Sequence, residues 1–183
     1  NKTYEKALQE FCLLEQIAEI STHKLQALLG EMECYYLLGK FDSTIIVSNK
    51  ILSLEKTDEN ISEKASYYLA KSLLKNANSG QAIEEFKKLT SAKNTEYASE
   101  AQYTLAEIQY NNGNLEDSEK IILEITSNPS SEFWLAKAFI LWADIFKQRG
   151  NKIQAKQTLQ SIIDNYEGDQ SIINEAQNKL DEI

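Results

Sequence analysis

Residues 136–163, AKAFILWADIFKQRGNKIQAKQTLQSII, decide how this chain folds. They read as two short amphipathic helices around a tight turn at Gly150. The first helix carries Trp142, Ala143 and Phe146, and the second carries Ala155, Leu159 and Ile162. The offsets of four and seven from Ala155 fall on one face of a 3.6-residue helix.

Three more segments upstream read the same way: ALLGEMECYYLLGKFDSTIIVSNKIL from Ala27, ASYYLAKSLLKNANSGQAIEEFKKL from Ala65 and AQYTLAEIQYNNGNLEDSEKIILEI from Ala101. Aligned on their turns, they place Thr44, Ala82 and Ser118 where Ala155 stands, and the opening helix supplies Ala7. Successive spacings of 37, 38, 36 and 37 residues mark an internal repeat. Phe11, Ser48, Phe86, Ile122 and Leu159 follow each small position by four, and Leu14, Ile51, Leu89, Ile125 and Ile162 by seven. Twelve before it, on the first helices, stand Met32, Ala70, Ala106 and Ala143. Small side chains on both helices let the axes approach closely, while larger residues a turn away fill the surrounding space. Gly39, Ala77, Gly113 and Gly150 occupy the turns, where a residue tolerant of positive φ ends one helix.

Composition agrees. One proline (Pro129) and one valine (Val47) against nineteen isoleucines and a 42% hydrophobic share exclude a β-rich sandwich or barrel, and an all-α fold is expected. The formal charge is −9, and with a single arginine, Arg149, the chain offers no basic face for phosphate, so no nucleic-acid partner is expected. No apolar run approaches the roughly 18 residues of a membrane span, and residues 1–20 lack a signal-peptide layout.

The repeat resembles the tetratricopeptide repeat. The residues that carry the resemblance best are Trp142, Ala143, Phe146, Gly150, Ala155, Leu159 and Ile162. The family's usual period is shorter than that found here, so the chain is similar to the longer-repeat variety of Gram-negative envelope proteins, the last two repeats most of all. Departures are Glu31, where Leu69, Leu105 and Trp142 stand, Gln109, where Tyr35, Leu73 and Phe146 stand, and the lack of a closing proline except Pro129, one place early. The resemblance implies an α-solenoid of about ten helices wound as a right-handed superhelix, and a bacterial, periplasmic or cell-envelope setting. The whole chain, 1–183, reads as a single array. Residues 1–20 are the second helix of a repeat whose first helix would precede them, 22–54, 62–91, 96–127 and 131–166 are four repeats, and 169–183 is a capping helix.

The ends follow from that division. Tyr4, Ala7, Leu8, Phe11 and Leu14 form a stripe that should be partly exposed for want of a partner helix, and self-association there is expected. At the other end Ile172, Ile173, Ala176, Leu180 and Ile183 form one narrow stripe surrounded by polar residues, as a terminal cap requires, with Asp169 as N-cap.

Catalytic chemistry finds little support, and no enzymatic activity, cofactor or metal is expected. The single histidine, His23, falls near a helix start with no second ligand or nucleophile in view. Cys12 and Cys34 lie on consecutive helices but on different faces of the repeat, and read as free thiols. The sequence NNGN at 111–114 is the repeat turn, and Glu84 with Glu85, or Glu116 with Asp117, point about 100° apart on their helices, which makes them solvated faces.

In the resembled family the first helices line a concave groove, and the groove positions recur at fixed places. Carried over, five columns result: Gln26, Lys64, Glu100 and Lys137; Leu29, Tyr67, Tyr103 and Ile140; Glu33, Lys71, Glu107 and Asp144; Tyr36, Leu74, Tyr110 and Lys147; Leu37, Lys75, Asn111 and Gln148. The floor is apolar and rich in tyrosine, with charged rails. Leu29, Tyr36, Lys64, Tyr67, Lys71, Leu74, Tyr103, Glu107, Tyr110 and Ile140 are the candidate groove residues. Two readings stand side by side: the tyrosines anchor a partner's peptide or helix, or they fill gaps between first helices while the charges, which alternate in sign, pair from repeat to repeat. The expected function is a protein-interaction scaffold, with a structural spacer or self-association module as the alternative.

Overall fold

The computed structural model describes residues 2–55, 57–91 and 95–183. Among them every regular element is a helix: α1 (Lys2–Ile17), α2 (Ser21–Leu37), α3 (Phe41–Leu52), α4 (Glu59–Lys75), α5 (Ser79–Leu89), α6 (Glu96–Asn111), α7 (Leu115–Ser127), α8 (Glu132–Gln148), α9 (Lys152–Asn165) and α10 (Gln170–Asp181). They form two compact units, residues 1–89 and 90–183. In the first unit α1 packs on α2, the hairpins are α2–α3 and α4–α5, and α2 and α3 also pack on α4. In the second the hairpins are α6–α7 and α8–α9, α8 packs on α6 and α7, and α10 lies against α8 and α9.

Each hairpin closes by the same turn. The N–H of Gly39 donates to the Tyr36 carbonyl (2.9 Å) and that of Lys40 to Tyr35 (2.8 Å). Gly113 and Asn114 repeat this toward Tyr110 and Gln109, and Gly150 and Asn151 toward Lys147 and Phe146. This is a Schellman closure, which satisfies carbonyls at the helix end and needs a left-handed residue. The glycines have φ of +72°, +81° and +78°. In the second hairpin Ala77 takes the same place with φ +57° and donates to Leu74 (3.2 Å) while Asn78 donates to Leu73 (2.9 Å). A Cβ in that region is disfavoured. Ala77→Gly is therefore expected to stabilise the chain by roughly 0.5 to 1 kcal/mol, read as a shift of the urea midpoint without a change in slope.

Packing follows the columns of the repeat. Met32, Ala70, Ala106 and Ala143 on the first helices, and Thr44, Ala82, Ser118 and Ala155 on the second, are all at most 1% exposed. The Ser118 hydroxyl donates to the Ala106 carbonyl at 2.8 Å, a buried bond from one helix to the backbone of the other. Around these contacts Phe86, Ile51, Ile122 and Leu159 fill the interior. The last hairpin and the cap share one cluster of Ala136, Ile140, Ala143, Ala155, Leu159, Ile162, Ile172 and Ala176, with Leu180 and Ile183 against it. Asp169 caps α10 by accepting the Ser171 N–H at 2.8 Å. Replacing Ala82 or Ala155 with Leu would force about three extra carbons into full space. Each change is expected to cost roughly 1 to 3 kcal/mol, visible in thermal melts.

In the first unit the stripe of α1 is partly covered by α2. Of the expected stripe Leu8 is buried, while Phe11 and Leu14 are half-buried. The Phe11 ring lies over Gly30, where an added Cβ would come within 2.5 Å of it, so the absence of a side chain on α2 lets α1 seat. The apolar residues of α1 that stay exposed are Tyr4, Leu13 and Ile17.

Glu31 is in register and buried, 5% exposed, with Oε1 lacking any hydrogen-bond partner. The groups acting on it are Cys12 and Glu15 of α1 and Lys50 of α3. Lys50 is itself ion-paired with Glu15. Burial first, and the Glu15 carboxylate second, raise the Glu31 pKa above its ordinary 4.5, against the lowering effects of Lys50 and Cys12. A raised acid pKa favours folding below the unfolded value and loses that contribution as pH climbs through the folded one. Leu stands in this column at 69 and 105. Glu31→Leu is expected to stabilise by roughly 1 to 3 kcal/mol at neutral pH. Melts from about pH 8 down to about pH 4 should show that gain narrowing toward acid.

Candidate functional site

The candidate site lies on the face of the first helices. In the first unit it is built by α2 and α4, and in the second by α6, α8 and the cap α10. Helices α4, α6 and α8 start at side-chain N-caps: Asp58 accepts from the Asn60 N–H, Thr95 from Ala98 and Ser131 from Trp134. These caps fix which residues of each helix turn toward the face.

The charged rails are ladders between neighbouring helices. Lys64 of α4 is ion-paired with Glu33 of α2. In the second unit Lys137 donates to Glu175 at 2.9 and 3.1 Å, Lys179 to Asp144 at 2.8 and 3.0 Å, and Lys147 to Glu182 at 3.4 Å. Burial alone lowers the Lys179 pKa, but the hydrogen bond and charge of Asp144, with Glu175 beyond, raise it on balance. The cap is thus held to α8 by three ion pairs lying above its apolar stripe. Glu107, instead of pairing within this ladder, accepts the Tyr103 hydroxyl at 3.1 Å.

The tyrosines divide into two groups. Tyr103 is 8% exposed, and its ring lies 5.3 Å from Trp134 in the cluster of Ala106, Ile122, Ile125, Ala138, Leu141 and Ile145. Burial, then the Glu107 charge and hydrogen bond, push its pKa far up. Ile140 is 2% exposed, sealed under the cap. These two expected floor residues are core instead, because α8 packs on α6 and α10 covers α8. Tyr36, Tyr67, Tyr110, Leu29 and Leu74 are half-buried, with one side in the packing and one open.

In the first unit the tyrosines make a cluster around a lysine. Tyr36 stands edge-on to Tyr68 (5.2 Å between centroids) and to Phe41 (5.7 Å), and Tyr67 edge-on to Tyr68 (5.5 Å). The Lys71 ammonium lies 4.9 Å from the Tyr67 ring centre and 5.9 Å from that of Tyr36, and it donates to the Tyr67 hydroxyl at 2.9 Å. Rings that support one another and share a cation form a rigid, amphipathic surface. Such a surface can accept an apolar side chain on its rings and a carboxylate at its lysine.

On another side of α8, Glu119 of α7 accepts the Trp142 indole N–H at 2.9 Å and the Arg149 guanidinium at 2.7 Å. Burial raises the Glu119 pKa, but these two hydrogen bonds and the arginine charge outweigh it and hold the carboxylate low. Trp142, a large apolar member of its column, is thus also a hydrogen-bond donor to Glu119. The available signal was Arg149, the one arginine, one place before the turn glycine.

Other candidates have plain roles. His23 is exposed in the first turn of α2. Cys12 and Cys34 are free thiols, the first half-buried near the Tyr35 hydroxyl and the second buried. Desolvation raises both thiol pKa values, which keeps them protonated and weakly reactive. Among the described residues no group of three or more His, Cys, Asp or Glu is placed to hold a metal, and no helix is long and apolar enough to cross a membrane.

Comparison with known proteins adds two findings. Residues 133–168 match the tetratricopeptide repeat family. The crystal structure of BtubC (BKLC) from P. vanneervenii superposes with a TM-score of 0.70 at 12% identity, over 98% of this chain and 79% of that one, which shows a common fold. No curated protein matches the sequence.

Proposed function

With the chain a helical repeat of tetratricopeptide type, we propose that it is a protein-interaction scaffold whose first-helix face holds a peptide or helix of a partner protein. Tetratricopeptide repeats in general mediate protein–protein interaction, and folds of this type are generally not enzymes. The observation that carries the reading is the Tyr36, Tyr67, Tyr68 and Lys71 cluster of the first unit, where half-buried rings in mutual edge contact gather around a cation. Leu29 and Leu74 extend the apolar surface, and the same face of the second unit carries Tyr110 and Glu107. The ligand that suits the cluster has an apolar residue for the rings and a carboxylate for Lys71.

A second reading, self-association or a spacer role, draws support from α1, where Leu13 and Ile17 are 56% and 65% exposed. The ion-pair ladders suit it equally, because charges engaged inside the stack are less available to a ligand. An envelope or periplasmic setting, implied only by the resemblance to longer-repeat envelope proteins, belongs to the same proposal and is checked by cell fractionation.

Affinity capture from the native host, repeated with Tyr67→Ala, tests the scaffold. The variant is expected to lose partner binding by about 1 to 2 kcal/mol or more at an unchanged melting temperature. A binding loss that only tracks a lowered melting temperature would assign the ring to packing.

A further inference from the structure

The second unit contains a cavity of about 590 Å³ between the first half of α8 and the second half of α9. Leu135, Phe139 and Ile162 make it apolar, and Tyr166 stands beside them. That wall is built in advance: the Tyr166 hydroxyl accepts the Asp169 N–H at 3.2 Å, and its ring lies so close to Gly168 that a Cβ there would come within 2.3 Å of the hydroxyl. The volume is in the range of clefts that bind small ligands, roughly 300 to 1,000 Å³.

Charge narrows the choice of occupant. Glu132 and Glu167 line the cavity, no lysine or arginine does, and among the described residues neither carboxylate has a hydrogen bond or ion pair. At other clefts the pattern varies: Glu116 and Asp117 line one of about 380 Å³ that also carries Arg149, itself ion-paired with Glu119. Glu84 and Glu85, which line a smaller cleft of about 410 Å³ in the first unit, are paired with Lys87 (2.9 Å) and Lys88 (2.7 Å). In the second unit Asp144, Glu175, Glu182 and Glu119 all have cations. An apolar floor beneath two unpaired carboxylates is complementary to an apolar side chain flanked by positive charge.

We propose that this cavity is a second docking site, one that takes a segment of a partner protein carrying an aromatic or branched aliphatic residue next to Lys or Arg. It is separate from the first-helix face and asks for the opposite charge in its ligand. The anchor occupies the space over Leu135 and Phe139, and the flanking cations reach the carboxylates at the mouth, where they remain partly hydrated and sensitive to salt.

Selection of a random peptide library displayed on phage against the whole chain tests this directly. Enriched peptides should carry an apolar anchor beside Lys or Arg, and should lose roughly tenfold or more in affinity on Ser161→Arg, which places a cation and bulk at an exposed position of the cavity wall. Gln157→Arg, also exposed and in the wall, is a second variant should the first unfold, with melts run on both. Glu132→Gln combined with Glu167→Gln should weaken binding several-fold and flatten its salt dependence. Tyr67→Ala should leave these peptides unaffected while impairing ligands of the first-helix face, so the two sites fail separately. Enrichment of acidic or uncharged peptides, binders indifferent to both arginine variants, or no enriched binder at all would overturn the proposal.

Discussion

The close contact between the two helices of each hairpin is the constraint on which the rest depends. At Ser118 the approach is visible as a bond: its hydroxyl reaches the carbonyl of Ala106 on the paired helix at 2.8 Å, in a place closed to water. The first hairpin fills the two places with Met32 and Thr44; in the others, a larger side chain at either point would crowd the contact, and a polar one without a partner would be costly. Ala70 with Ala82, and Ala143 with Ala155, meet the demand with methyl groups alone. Once two axes are that close, the residues four and seven further on are driven inward, the turn must be tight, and the first helices present a defined face to the outside.

Charge works at another level. The ladders from Lys64 to Glu33 and from α8 to α10 run along helix neighbours already joined by apolar contacts. Half-exposed pairs of this kind contribute about 0 to 1 kcal/mol each, far less than the stripes beneath them, so they choose register among packings that burial alone leaves similar. Glu31 shows the reverse case: a carboxylate in an apolar column, under the Lys50 and Glu15 pair, is kept in place by its neighbours at a cost to stability. The cavity glutamates, Glu132 and Glu167, are a third case, open to whatever cation arrives.

Much of the fold was legible because one spacing explained many residues. The columns of Ala82, Phe86 and Leu89, and their counterparts, depend only on helix periodicity and side-chain size, both written in the chain. Ala77 could be placed in the turn column although it is not glycine. The site was less legible, since which part of a face is covered depends on neighbours that periodicity does not describe. Tyr103 and Ile140 share a column with Tyr67, yet packing by α8 and α10 buries them and leaves Tyr67 half open. The seat of Phe11 on Gly30, and the bond from Trp142 to Glu119, join residues 19 and 23 apart and needed the packing angle of the helices before they could be seen.

Methyl-resolved NMR on the chain with labelled alanines tests the central contact most directly. The account predicts a strong cross-peak between the Cβ methyls of Ala143 and Ala155, and another between those of Ala70 and Ala82. Absence of both, with the methyls instead close to residues of other helices, would contradict the register on which the hairpins, the face and the cavity all rest.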